Sequence, residues 1–143
     1  MYGPGDNAMG PPHQQVRRSV YLNIRRNSLS PLITTFDGPK PFTTIGRRDA
    51  TNVPAQSLTL LNSPFVIDTA KQWARTLDPK QADAAKVDAL FIQALARKAT
   101  PAEQAVAMRY LADLKATHAD QPAMVWPDFA QSLLNLKEFL YLK

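Results

Sequence analysis

The chain has no cysteine. That excludes disulfides, thiolate zinc sites, cysteine nucleophiles and covalent haem attachment, and it leaves the cellular compartment open. Histidine is scarce too: His13 and His118 are the two, they fall in separate loops, and neither has a His, Asp or Glu at metal-ligand spacing. No metal or other cofactor is therefore expected in this chain. No apolar run approaches the ~20 residues that cross a bilayer, and the opening Met1-Tyr-Gly-Pro-Gly has neither a basic leader nor an apolar h-region. As given, the chain carries no address, and no membrane association is expected. Repeats of fixed period, low-complexity tracts and long linkers are missing as well. No residues form a recognisable catalytic set, so the sequence does not specify a reaction.

What is present is a chain of 143 residues, 45% apolar and 20% charged, with twelve prolines. A compact chain of this size buries about 70% of its unfolded surface, enough for one core. Twelve prolines exceed the average of about 5%, so they belong at helix starts and in loops. The net charge of +5 is uneven. Residues 1–50 hold seven Lys/Arg against Asp6, Asp37 and Asp49, which is +4, and the remainder holds ten against nine, which is +1. The basic character thus sits in the front half. Paired arginines suit nucleic acid, an acidic glycan or a carboxylate on a neighbouring domain, since the guanidinium fork fits all three.

Taken in order, residues 1–16 read as an irregular arm entering from an upstream domain, and residues 17–143 as a single helical domain. Ser19 to Ile24 alternates Val20, Leu22 and Ile24 with Tyr21 and Asn23, the period-two pattern of a half-buried strand or extended segment. Ser30-Pro31 starts a short helix to Phe36, which Asp37-Gly38-Pro39 ends; Phe42 and Ile45 anchor the following loop. Pro54 opens a helix to Leu61 carrying Leu58, Leu60 and Leu61. Ser63-Pro64 repeats the cap-and-proline signal before a stripe of Val66, Thr69, Ala70, Trp73 and Leu77. Asp78-Pro79 breaks the chain and is placed to cap the next helix, whose Val87, Leu90, Phe91, Ala94 and Leu95 face a core. Arg97 and Lys98 suit that helix's negative end. Thr100-Pro-Ala-Glu103 is a complete capping box opening a helix to about Thr117. After a loop from His118 to Pro122, Trp126, Phe129, Ala130, Leu133 and Leu134 repeat the helical spacing, and the apolar tail through Leu142 is expected to be docked. The fold class is mainly α: a small bundle of four to six helices with an extended, basic N-terminal arm.

Gly46 to Val66 is the stretch in which arginine, carboxylate and amide side chains gather among apolar residues. Arg18, Tyr21, Arg47, Arg48, Asp49, Asn52 and Gln56 are the candidate ligand-binding residues, for an anion or a sugar hydroxyl held by side chains and free amides. The plainer reading of Asp49, Thr51 and Asn52 is capping and turn chemistry. Along a strand Arg18 and Arg26 share one face and Arg17 and Arg25 the other, roughly 26 Å apart at about 3.3 Å per residue. Such a ridge fits nucleic acid, but single-strand binding also calls for aromatic platforms, of which Tyr21, Phe36 and Phe42 are the few nearby. The alternative is that these arginines pair with Asp37, Asp49, Glu138 and helix carbonyls to fasten the arm to the bundle.

The runs Arg17-Arg-Ser-Val-Tyr-Leu, Arg26-Asn-Ser-Leu-Ser-Pro, Phe36-Asp, Gly46-Arg-Arg and Thr51-Asn-Val-Pro-Ala-Gln-Ser-Leu-Thr-Leu-Leu-Asn-Ser-Pro-Phe-Val closely resemble the planctomycete-type C-terminal domain of unknown function called the PSD-one family. Leu95-Ala-Arg-Lys-Ala-Thr-Pro-Ala-Glu103 is similar to its Arg-x-x-Thr-Pro-x-Glu segment, and Leu133-Leu-Asn-Leu-Lys-Glu-Phe-Leu-Tyr141 to its closing motif, so the resemblance covers about residues 1–143. The resemblance implies the C-terminal end of a large exported, extracytoplasmic protein that sometimes carries a cytochrome-like domain. It implies missing upstream domains as partners, and it supplies no established activity. Three functions stay open: a helical structural module closing that larger protein, part of a composite site for an anionic or polysaccharide ligand, or nucleic-acid binding by the basic arm.

Overall fold

Proline and polar punctuation divide the chain into helices before any packing is considered. In a computed structural model, which describes residues 31–36, 38 and 54–140, the elements are α1 (Pro31–Thr35), α2 (Pro54–Asn62), α3 (Pro64–Ala74), α4 (Asp83–Leu95), α5 (Pro101–Thr117), a 3-10 turn (Pro122–Met124), α6 (Val125–Leu134) and α7 (Lys137–Leu140). The fold is mainly helical, as the periodicities require, with α1 and α7 amounting to little more than a turn each. The expected strand around Tyr21 and the anchors Phe42 and Ile45 lie outside the described residues.

Proline starts α1, α2, α3 and α5, where its missing N–H is one the helix would leave unpaired anyway. Pro127 sits in the first turn of α6 for the same reason. Gly38 closes α1: its N–H donates to the Ile33 carbonyl at 2.8 Å, and a Cβ there would lie 2.6 Å from that oxygen. Only glycine fits so close a return.

Two starts differ from expectation. Asp78 does not cap α4; its carboxylate accepts the Lys80 N–H at 2.9 Å and heads a separate turn, so α4 begins at Asp83 after Ala82. A local Asx turn is satisfied within two residues and outcompetes a cap farther on. Ser63 holds the cap position of α3 with extended backbone, yet its side chain makes no cap bond.

Helix α6 is the hub, packing against α2, α3, α4, α5 and α7. It buries Val125, Pro127, Phe129, Ala130 and Leu133. The main core joins these to Val87, Leu90 and Phe91 of α4 and Ala107, Leu111 and Leu114 of α5, with Trp73, Leu77, Leu95, Ala99 and Trp126 along its edge. Helix α3 has its most extensive association with α6, and each of the two buries an alanine, Ala70 and Ala130, which permits close approach of the axes. The α3 stripe is narrower than its spacing suggests, because Thr69 is exposed and turns its hydroxyl back to the Phe65 carbonyl at 2.7 Å.

Of the apolar tail, residues 136–140 are described, and their apolar side chains are partly buried. Leu136 remains 37% and Phe139 43% exposed although α7 touches α4 and α6. Four residues of helix cannot turn enough side chains inward to hide them all.

Candidate functional site

Of the seven candidate ligand-binding residues, Arg18, Tyr21, Arg47, Arg48, Asp49 and Asn52 lie outside the described residues. Gln56 lies on α2, 8% exposed, and its Nε2 donates to the Thr35 carbonyl at 3.2 Å. A carbonyl at the end of α1 thus receives a side-chain donor. The Thr59 hydroxyl meets that of Thr35 at 3.5 Å beside it.

The densest polar constellation described is elsewhere, at the corner between α4 and α5. Helix α4 ends when Ala96 takes a left-handed conformation, φ 56°, and its N–H returns to the Ile92 carbonyl. That reversal sends Arg97 out of line with α4 and forward, toward the start of α5. Arg97 Nη1 and Nη2 each donate to Glu103 at 2.8 Å, Nε and Nη2 donate to Glu138 at 2.9 and 2.6 Å, and Nη1 also donates to the Lys98 carbonyl at 3.1 Å. These contacts match the five N–H groups that a guanidinium possesses. Its carbon lies 5.9 Å from the centre of the Phe91 ring.

Glu103 serves two structures at once. It completes the capping box, its Oε2 accepting the Thr100 N–H at 2.8 Å while its own N–H reaches the Thr100 hydroxyl, and it faces Arg97 as a bidentate partner. Hydrogen bonds from Arg97 and then from the Thr100 backbone hold its carboxyl down at about 2, against an ordinary 4.5. The two carboxylates push the Arg97 guanidinium further upward from a value already very high, the Glu103 hydrogen bonds contributing most. Arg97 therefore acts forward on α5 and α7, where its position in the sequence suggested a role at the C-terminus of its own helix. Glu138 is 46% exposed at its side chain and meets Arg97; the arm arginines that the sequence pairs it with lie outside the described residues.

A second cluster joins α5 to α6. His118, at the end of α5, meets Asp128 in the first turn of α6, Nε2 to Oδ2, at 2.6 Å. Burial, and then the charge of Asp128, raises the phenol of nearby Tyr110 above its ordinary 10.0. Sequence spacing missed this pair because ten residues and a turn separate its members; the signal available was an acidic residue in the first turn of a helix that follows a histidine-ended one. Lys86 is buried, with its ammonium 5.4 Å from the Trp126 ring centre and donating to the Pro79 carbonyl at 3.2 Å. Among the described residues no three His, Asp or Glu side chains converge as metal ligands.

The other polar side chains also link helices. Gln131 of α6 donates to the Leu60 and Leu61 carbonyls at the end of α2, at 3.1 and 2.7 Å. Gln104 of α5 donates to the Ala84 carbonyl of α4, Lys115 of α5 pairs with Asp83 of α4, and the Trp73 indole donates to Gln93. Chemically these are fastenings: each ties one helix to another, and the Arg97 fork cannot accept an anion without surrendering a carboxylate it already holds.

No curated protein and no solved structure matches the chain. Residues 4–111 match the family model PSD1, described as protein of unknown function (DUF1553). Glu103, and with it the whole Arg97-to-Glu103 segment, falls inside that match, which spans well over half the sequence, and the chain belongs to the PSD1 family of proteins of unknown function.

Proposed function

We propose that this chain is a helical structural module that closes a larger, exported multidomain protein, its upstream domains being the partners it packs on. One observation carries the reading: the described polar side chains that span the helices are engaged with the ends of neighbouring helices or with one another, as Gln56, Arg97, Gln104 and Gln131 illustrate. A catalytic or ligand-seeking surface needs groups left available at a common point. Export and attachment to a further domain, a cytochrome-like one in some relatives, belong to the same proposal and follow from the resemblance of the sequence motifs.

Gln56 gives the test, because it was also a candidate for binding an anionic glycan. Loss of its buried hydrogen bond should cost about 1–2 kcal/mol, lowering the melting temperature of Gln56→Ala by roughly 3–6 °C in a chain of this size. Gln131→Ala should behave alike. Binding of dextran sulfate, as an anionic polysaccharide, should be the same in both variants as in the parent. Weakened binding at an unchanged melting temperature would overturn the proposal and favour a composite ligand site. Fractionation of source cells, with the chain found in the cytoplasm, would remove the exported part.

A further inference from the structure

Helix α5 packs on α4 and α6 and turns its remaining side to water. The water-facing side of an ordinary surface helix is polar throughout. This one carries Val106, at 65% exposed the most exposed of the large apolar side chains described. Farther along the same side stand Arg109 and Asp113, both exposed, four residues and about 6 Å apart along the axis.

These two charges differ from the side chains that link helices elsewhere in the fold. Lys71, Arg97 and Lys115 each meet a carboxylate. Among the described residues the Arg109 guanidinium meets no acid and the Asp113 carboxylate meets no base; the bond at Asp113 is to its backbone, where the carbonyl accepts the Thr117 hydroxyl at 2.9 Å. Nor do they pair with each other, since a cation four residues ahead of an anion is the less favourable order on a helix.

A helix running the other way meets both needs. When a second α5 lies antiparallel on the first, with the two-fold axis level with residue 111, Arg109 of each copy comes level with Asp113 of the other. Two reciprocal ion pairs result. The same register sets exposed Val106 level with Ala116 of the partner copy, a branched side chain against a small one. A parallel two-fold pair would instead oppose arginine to arginine and aspartate to aspartate.

We infer that the outer face of α5 is a self-association surface, on which a second copy of this chain docks antiparallel through two Arg109–Asp113 pairs. This goes beyond packing on upstream domains: the preceding chain joins the described fold at α1, which packs on α2, whereas this face belongs to α5. One helix face buries less than the ~1,200 Å² at which standard complexes begin, so the dimer belongs to the weak, reversible class.

Sedimentation equilibrium on the full 143-residue chain tests this, at low salt and from about 10 µM to about 1 mM. The parent chain should dimerise within that range, and less at about 1 M salt. Arg109→Asp and Asp113→Arg should each raise the dimer Kd about tenfold or more, because every attraction across the two-fold becomes a repulsion. Mixing these two variants should restore association as a heterodimer, and combining both substitutions in one chain should restore the homodimer. A parent chain that stays monomeric at about 1 mM overturns the self-docking and leaves the face to a different domain. Single variants that associate as the parent does, or a mixture that stays monomeric, overturn the Arg109–Asp113 register.

Discussion

The five N–H groups of Arg97 go to Glu103, Glu138 and the Lys98 carbonyl, and only a planar guanidinium presents donors in two edges at once. A lysine there would keep the charge and lose the geometry. The consequence for pH runs through Glu103. Its carboxyl sits at about 2 when folded against 4.5 as a free side chain. A group lowered by folding stabilises the folded state fully above its unfolded value and loses that contribution as pH falls toward the folded one. The corner should therefore weaken between about pH 4.5 and 2, while Arg97 stays charged throughout. Melting temperatures measured across that window should fall less steeply in Glu103→Gln than in the parent chain, and a carbon-13 titration of the Glu103 carboxyl should place it near the lower limit.

At the scale of the element, the ends of helices explain more than their middles. Ala96 adopts φ 56° at the end of α4, a conformation that glycine takes freely and alanine takes at a cost of about 1–2 kcal/mol. Glycine also loses more freedom on folding, so Ala96→Gly should stabilise the chain by a net ~0.5–1 kcal/mol, seen as a later midpoint in urea at unchanged slope. A midpoint that moves earlier would show that the strain is relieved some other way. The box Thr100-Pro-Ala-Glu103 could be read directly, since every bond in it is local and the spacing is diagnostic. The left-handed stop at Ala96 could not, because nothing in Leu-Ala-Arg-Lys announces it. Apolar spacing identified Val87, Leu90 and Phe91 as core, for the period of a helix is fixed by its backbone. Pairs such as Arg97–Glu138 and Lys115–Asp83, 41 and 32 residues apart, depend on how the chain folds back and leave no trace in spacing. The candidate site was legible as a gathering of polar residue types, and of its members Gln56 is the one the described structure places, at the junction of α1 and α2.

For the molecule as a whole, the decisive arrangement is the convergence of α4, α5 and α6. Leu111 is among the most deeply buried side chains, and truncating it removes packing against all sides of the core. Leu111→Ala should cost about 2–5 kcal/mol, measured by urea denaturation, whereas Val106→Ala on the exposed face of the same helix should change stability by no more than ~0.5 kcal/mol. Equal losses at the two positions would mean that α5 is packed the other way round.

The hub position of α6 has a bearing on where this chain can be cut. The family-model match ends at residue 111, yet Val125, Phe129 and Leu133, which join Val87, Leu90 and Phe91 in the core, come after it. A polypeptide ending where the match ends would leave an apolar trough open to water and clump through it. A graft cut to the matched stretch leaves that core unfinished, and grafting experiments should carry the chain through α6.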